Sequence, residues 1–277
     1  MSGPRLSVIV RSRDSGATIA RTLRALREQT VEPEIIVVDS GSRDDTLAIA
    51  NRMADRVVTI EAERFSYGRA LNLGVAHCSA EIHGALSSHC VPSGPDWVQR
   101  SLRHYDRVEV AATNGLLRLA DGTAAPGILL QGAAEARRHV RWGFSNHGAT
   151  WRADVWERFP FSETLPACED REWALRVQHA GWLIAFDPAL WVANSHREGR
   201  GYADYFRRRR REMNGYAQFT SAHRYGPRNA VRDWWTSDPG DQRAGWRRRI
   251  SLMRIAGLAG DVAGAADGRR LKRGSPT

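Results

Sequence analysis

Lysine is all but missing from this chain. Lys272 is the only one, so 40 of the 41 basic residues are arginines. A planar guanidinium fork suits phosphate and carboxylate partners, although genome composition alone produces the same bias. Cysteine is scarce too. Cys78, Cys90 and Cys168 are odd in number and lack zinc-type CxxC spacing, which fits a reducing compartment. No run approaches eighteen consecutive apolar residues, so no transmembrane helix is expected. The segment Met1–Arg5 passes straight into a strand-like stretch and leaves no room for a signal peptide. A cytoplasmic protein is therefore expected. Internal repeats and long low-complexity segments are absent as well.

What is present is ordinary globular composition, 42% hydrophobic and 26% charged over 277 residues. That length buries one large core or two small ones. The net charge of +10 is unevenly placed. Residues 197–277 carry 19 basic and 8 acidic side chains, whereas residues 1–196 carry 22 and 23. The body is neutral and the tail basic.

The first 110 residues alternate apolar, β-rich runs with helical patterns. Leu6–Val10, Glu34–Val38, Arg56–Ile60 and Ile82–Ser87 read as strands. Thr18–Gln29, a stretch after Asp44, and Gly68–Ala76 read as helices. Such alternation implies a parallel α/β sheet with right-handed crossovers. Ligands on these sheets lie at the carboxyl ends of the strands, which gathers Arg11–Asp14, Asp39–Ser42 and Ser87–Cys90 around one crevice. Beyond residue 110 the pattern changes. Ala120–Arg141 reads as a partly helical excursion. Phe144–Trp151 is strand-like, Ala153–Phe159 is a short helix, and Glu169–Ala180 is a helix closed by Gly181. Leu183–Phe186 and Leu190–Ala193 are short strands, and Tyr202–Thr220 is helical.

The strand ending in Asp39-Ser40-Gly41-Ser42 places a carboxylate where a nucleobase imide or ribose hydroxyl would donate to it, with small residues that allow close approach. Alone, this is equally a strand-to-helix turn with Asp44 as N-cap. Glu169-Asp170 falls in the first turn of a helix, whose N-terminus stabilises ionised carboxylates.

The ordered set LSVIVRSRDS, EIIVVDSGSRDDT, FSYGRALNLGVAHCSAEI, LSSHCVPSGPDW and CEDREWALRVQHAGW…NSH resembles the family 2 glycosyltransferases of GT-A fold, and among them the rhamnosyltransferase-like branch. The resemblance runs from about Leu6 to His196. It implies a nucleotide-binding half, 1–110, merged with an acceptor-binding half, 111–196, and leaves 197–277 as a basic helical extension. It further implies that Arg11, Ser12, Asp14 and Asp39 hold the nucleotide, with Ser88 nearby, and that Arg69 and Asn72 approach the diphosphate. Asp170 falls at the family's general base, with Glu169 beside it. Trp142, Asn146 and His147 match the stretch that lines the acceptor, although a buried strand edge reads the same way. Trp173 would lie near the acceptor, or equally in the core.

After Leu86 the family usually has a carboxylate that binds a divalent cation. This chain has Ser87-Ser88-His89 instead. Imidazole suits manganese or zinc, whereas magnesium prefers oxygen. Two readings stay open: His89 ligates a cation such as Mn2+, with His196 as second ligand, or arginines neutralise the diphosphate without a tightly held metal. A zinc site from His77, Cys78, His83, His89 and Cys90 is disfavoured by their scatter over helix and strand.

The resemblance thus implies an inverting transfer from a UDP- or dTDP-linked sugar to a carbohydrate or small-molecule hydroxyl. The alternative is a nucleotide- or sugar-binding protein that has lost catalysis. In the tail, Arg207–Arg211 covers several helical faces, which usually means a solvated surface; attraction to acidic lipid at the inner face of a membrane is a second reading. No nucleic-acid motif accompanies it, so no nucleic acid is expected. Arg197 and Arg200 follow His196 and could close over a diphosphate. Leu252, Ile255, Ala259, Val262 and Ala266 form a narrow apolar seam. Gly257, Gly260 and Gly264 each cost that helix about 1 kcal/mol relative to alanine. The seam is expected to dock on the body or on a second copy.

Overall fold

The computed structural model describes residues 3–116, 124–138, 143–194, 201–236 and 252–274. Trp142, His196, Arg197 and Arg200 lie outside the described residues, as do both ends of the 120–141 excursion. The chain forms two compact units, Met1–Glu163 with Trp173–His196, and Thr164–Glu172 with Arg197–Thr277. Among the described residues no helix is long and apolar enough to cross a membrane.

The first unit is built on an eight-stranded sheet in the order β3-β2-β1-β4-β8-β6-β9-β7. Its parallel half comprises β1 (Ser7–Ser12), β2 (Glu34–Asp39), β3 (Arg56–Thr59) and β4 (Ile82–Ser87). Helices α1 (Gly16–Arg27), α2 (Thr46–Met53) and α3 (Tyr67–Val75) make the connections. The other half adds β8 (Gly148–Arg152), antiparallel to both β4 and β6 (Val110–Gly115), then β9 (Leu183–Asp187) parallel to β6, and β7 (Leu129–Gln131) at the edge. Short β5 (Cys90–Pro92) pairs with β10 (Val192–Asn194) in a separate ribbon, and α4 (Trp97–Arg103) follows β5. This is the α/β arrangement of a GT-A fold.

Both faces of β1, β2 and β4 are buried, which is why β1 and β2 read as unbroken apolar runs rather than alternating ones; β3, at the edge, is partly exposed. Val8 and Val10 join Ile19, Leu23, Leu26 and Trp97 on one face. Ile9, Ile36 and Val38 join Leu71, Val75, Trp151 and Trp173 on the other. Helix α3 approaches this second face closely through Gly74, where a Cβ would stand 2.6 Å from Ile9 Cγ2.

Three expected boundaries move. The strand expected over 144–151 is confined to Gly148–Arg152, because Asn114 bends the preceding loop. Its amide nitrogen donates to Ser145 O (3.0 Å) and Gly148 O (2.7 Å), and its oxygen accepts from Ser145 N (3.0 Å). The 120–141 excursion contains strand β7 as well as helix α5 (Ala133–Arg138). Leu190 belongs to the single turn Pro188–Leu190, nucleated by Asp187 accepting from Ala189 N, and not to β10. Helices α6 (Ala153–Arg158) and α7 (Glu169–His179) complete the unit, α7 beginning in the second one.

In the second unit α8 (Tyr202–Phe219), α9 (Pro227–Thr236) and α10 (Leu252–Gly274) pack together. The seam expected to dock is not the packed face of α10. Leu252 is 59% and Ile255 39% exposed, and Ala259 is exposed too. The packed face is the glycine stripe. A Cβ on Gly257 would meet Tyr205 at 2.7 Å, on Gly260 Phe206 O at 2.7 Å, on Gly264 Arg210 O at 2.2 Å, and on Gly268 the Ala217 Cβ at 2.4 Å. Glycines bring the two backbones into contact, and the dispersion gained there offsets their poor helix propensity. The arginine run is likewise no free basic patch. Arg207 pairs with Asp204, Arg208 with Glu212, Arg209 with Asp261 at 2.5 Å, and Arg210 with Asp267. The last two fasten α8 to α10.

Gly264→Ala is expected to destabilise this unit by about 1–3 kcal/mol, the usual range for overpacking. Thermal unfolding followed by far-UV circular dichroism measures it; an unchanged midpoint would mean that the helices part without cost.

Candidate functional site

The site forms where the parallel strands end. Registers Ser12↔Asp39 and Arg11↔Ser87 align the carboxyl ends of β1, β2 and β4. Asp39 is fully buried. Its Oδ1 accepts from Ser12 Oγ (3.1 Å) and Ser42 Oγ (2.5 Å), and its Oδ2 from Gly41 N (3.1 Å) and Ser42 N (2.9 Å). Those four donors fill the usual acceptor sites of a carboxylate. Asp39 therefore shapes the 39–42 loop, and Gly41 takes the φ of +82° that the turn requires. Asp14, at φ +46°, ties the β1 loop to this one: its N–H donates to Ser42 Oγ and its Oδ1 accepts from Arg43 N, both at 2.8 Å.

Beside the loop opens a cavity of about 770 Å3, lined among others by Asp39, Gly41, Glu61, Arg64, Arg69, Asn72 and Glu163. Arg69 donates from Nε to Glu163 Oε2 (2.9 Å) and from Nη1 to Arg64 O (3.1 Å). Asn72 donates to Phe161 O (2.9 Å) and Glu163 Oε1 (3.0 Å), and accepts from Trp156 Nε1 (3.0 Å) and Phe161 N (3.1 Å). Its two donors and two acceptor positions are thereby all used within the chain. Asn72 lines the cavity, yet its amide braces residues 156–163 against α3. The Asn72 amide, and after it the Arg69 guanidinium, hold the Glu163 carboxyl below the usual carboxylate range. Sequence reasoning missed Thr59, Glu61, Arg64 and Glu163, because nothing local marks them; only the fold brings 163 to 69 and 72.

A second group of expected residues meets across β1, β4 and β8. Arg11 Nη2 donates to Asn146 Oδ1 at 2.6 Å, and its guanidinium lies 5.5 Å from the Tyr67 ring centre. The His89 and His147 rings stand 6.4 Å apart, and Ser145 Oγ bonds His147 Nδ1 at 2.7 Å. Arg11, expected on the donor side, and Asn146, expected on the acceptor side, are thus joined directly. Ser88 is buried with its hydroxyl 2.8 Å from that of Ser15, so it joins two loops. Burial pushes the Cys90 thiol up to about 11, partly offset by Ser87 and by the charge of Arg11. Trp173 is a core residue: it is wholly buried, packs on Phe144, Trp151 and Phe161, and donates to Phe159 O at 2.6 Å. An indole so enclosed offers no face to an acceptor.

Glu169, Asp170 and Glu172 occupy the first turn of α7, within the second unit. There the segment leading into α7 is fastened to α8. Cys168 Sγ reaches Glu212 O at 3.6 Å, and a Cβ on Gly215 would stand 2.2 Å from Ala167 O. Cys168 adopts φ +66°, the sharp turn that starts the helix.

Among the described residues no group of three or more His, Cys, Asp or Glu could hold a metal ion. The segment Ser87–His89 contributes imidazole and hydroxyls but no carboxylate, and His196 lies outside the described residues. These donors do not fit a hard cation such as Mg2+.

Residues 7–139 match the family model described as glycosyl transferase family 2. The chain is 25% identical over 210 residues to the O-antigen chain rhamnosyltransferase RfbN of Salmonella typhimurium, covering 69% of this chain and 67% of that protein. It is 27% identical over 199 residues to the glycosyltransferase AglE of Haloferax volcanii, covering 66% and 64%. The matches thus span about two thirds of the relatives' own length. In structure it is similar to the mannosyltransferase PcManGT of Pyrobaculum calidifontis, solved with GDP-Man and Mn2+, at TM-score 0.61 and 18% identity, covering 100% of this chain and 77% of that one. It is also similar to S. aureus TarS 1-349 in complex with UDP-GlcNAc, at TM-score 0.58 and 15% identity, covering 98% and 92%.

Asn72→Ala leaves Trp156 Nε1 and Phe161 N without their acceptor and is expected to cost about 1–3 kcal/mol of stability. Urea unfolding measures it; a loss no larger than that of an exposed polar substitution would remove Asn72 from its bracing role.

Proposed function

We propose that this chain, a glycosyltransferase carrying a family 2 domain in a GT-A fold, moves a sugar from a UDP- or dTDP-linked donor to an acceptor hydroxyl with inversion. The observation that carries the donor reading is the cavity beside the 39–42 loop, which Arg64 and Arg69 line together with Gly41. A nucleoside diphosphate needs those features: backbone that allows close approach to the base and ribose, and cations for the phosphates. Asp39 serves by fixing the loop rather than by offering a vacant oxygen.

In the proposed reaction Asp170 takes the proton of the acceptor hydroxyl. The acceptor oxygen bonds the anomeric carbon from the face opposite the diphosphate, and the C1–O bond to the diphosphate breaks. Its electron pair leaves on the nucleoside diphosphate, whose growing charge the cavity arginines stabilise. The first turn of α7 supplies the candidate base, since Asp170 with Glu169 beside it places there the carboxylate that general-base catalysis needs. Asn146 and His147 are proposed to contact a carbohydrate or small-molecule acceptor. The likeness to a named rhamnosyltransferase favours a deoxysugar donor. No step is assigned to a divalent cation.

Asp170→Asn is expected to lower turnover about 10²–10⁴-fold, the range of a general base, with nucleotide affinity unchanged by calorimetry. Near-normal turnover would remove Asp170 from the role. Affinity for UDP or dTDP is expected to be equal in EDTA and in Mg2+; a strict need for Mg2+ would assign the diphosphate charge to a bound ion instead.

A further inference from the structure

The cavity proposed to take the donor contains a carboxylate bound to one of its own cations. Glu163 and Arg69 both line it, and they pair at 2.9 Å. Glu163 is 94 residues from Arg69 in sequence, so the pair is made by the fold and not by helix geometry. Nor is it a buried structural ion pair, since the side chains keep 38% and 41% of their exposure. Such a pair contributes little to stability. A stronger anion can therefore displace the carboxylate at small cost.

We infer that Glu163 is an internal competitor for the donor's diphosphate: it holds Arg69 in the free enzyme and yields it when a nucleoside diphosphate enters. The inference rests on the donor reading of this cavity. A carboxylate and a phosphate both match the planar guanidinium fork, and a diphosphate brings more charge than the single carboxylate it replaces. The Arg69 backbone and stem need not move for the exchange. The Arg69 N–H caps on Ser66 Oγ at 3.1 Å, and Nη1 is steadied by Arg64 O. Glu163 does not lose its place entirely, because Oε1 accepts from Asn72, itself fixed by Trp156 and Phe161. The carboxylate is thus retained beside the site, able to reclaim Arg69 as the product diphosphate leaves.

The test compares wild type, Glu163→Gln and Arg69→Gln by calorimetric titration with UDP, dTDP and the matching nucleosides. Glutamine preserves an acceptor for the Asn72 amide while removing the negative charge paired with Arg69, so the fold should survive; circular dichroism and an unchanged melting temperature check this. Glu163→Gln is expected to tighten the diphosphate roughly two- to fivefold, as release from an exposed ion pair allows, and to leave the nucleoside unchanged. Arg69→Gln should weaken the diphosphate and abolish any further effect of Glu163→Gln in the double variant. Unchanged or weaker diphosphate binding in a well-folded Glu163→Gln, or equal tightening of the nucleoside, would overturn the inference. Failure of wild type to bind any nucleotide would instead overturn the donor reading, and the inference with it.

Discussion

Strand β1 has no free edge and no free face. It is hydrogen-bonded to β2 on one side and β4 on the other, while helices cover it above and below. Apart from Ser7 at the amino end, which bonds Glu34, its polar side chains gather at the carboxyl end. There Arg11, Ser12, Asp14 and Ser15 meet the ends of the neighbouring strands. The placing of Arg11, Ser12 and Asp14 depends on that confinement, for a strand with an open face would have scattered them.

At that end much of the polar chemistry is turned inward. The carboxylate of Asp39 and the amide of Asn72 have full sets of partners inside the chain. Buried polar groups without partners are costly, and satisfied ones hold a loop in a single shape. The cavity is thus walled in part by side chains that set its form, and Arg64 and Arg69 line it beside them. An arginine held by an exposed carboxylate is a different case, since that pair is weak enough to exchange.

The second unit shows the same economy in a different material. Glycines in α10 lower helix propensity but admit the backbone of α8, and four arginines of α8 find acidic partners within the unit. The segment ahead of Asp170 is fastened to that helix pair through Cys168 and Gly215. The precision of the proposed base therefore draws on a tail whose charge alone would suggest a solvated surface.

The sequence by itself determined the parallel half of the sheet. The apolar runs of β1, β2 and β4 and the helices between them follow from local period and turn chemistry, and five ordered motifs pointed to the family. It also marked Asp39, Asn72, Arg69 and Asp170 as positions of interest. What it did not determine is what those side chains touch. That Asn72 bonds Phe161, that Trp173 lies in the core, and which face of the last helix packs are decided by contacts between residues far apart in the chain. Such contacts leave no local period. Only tertiary packing decides them, because a side chain's partners depend on which distant segment the fold brings within a few ångströms.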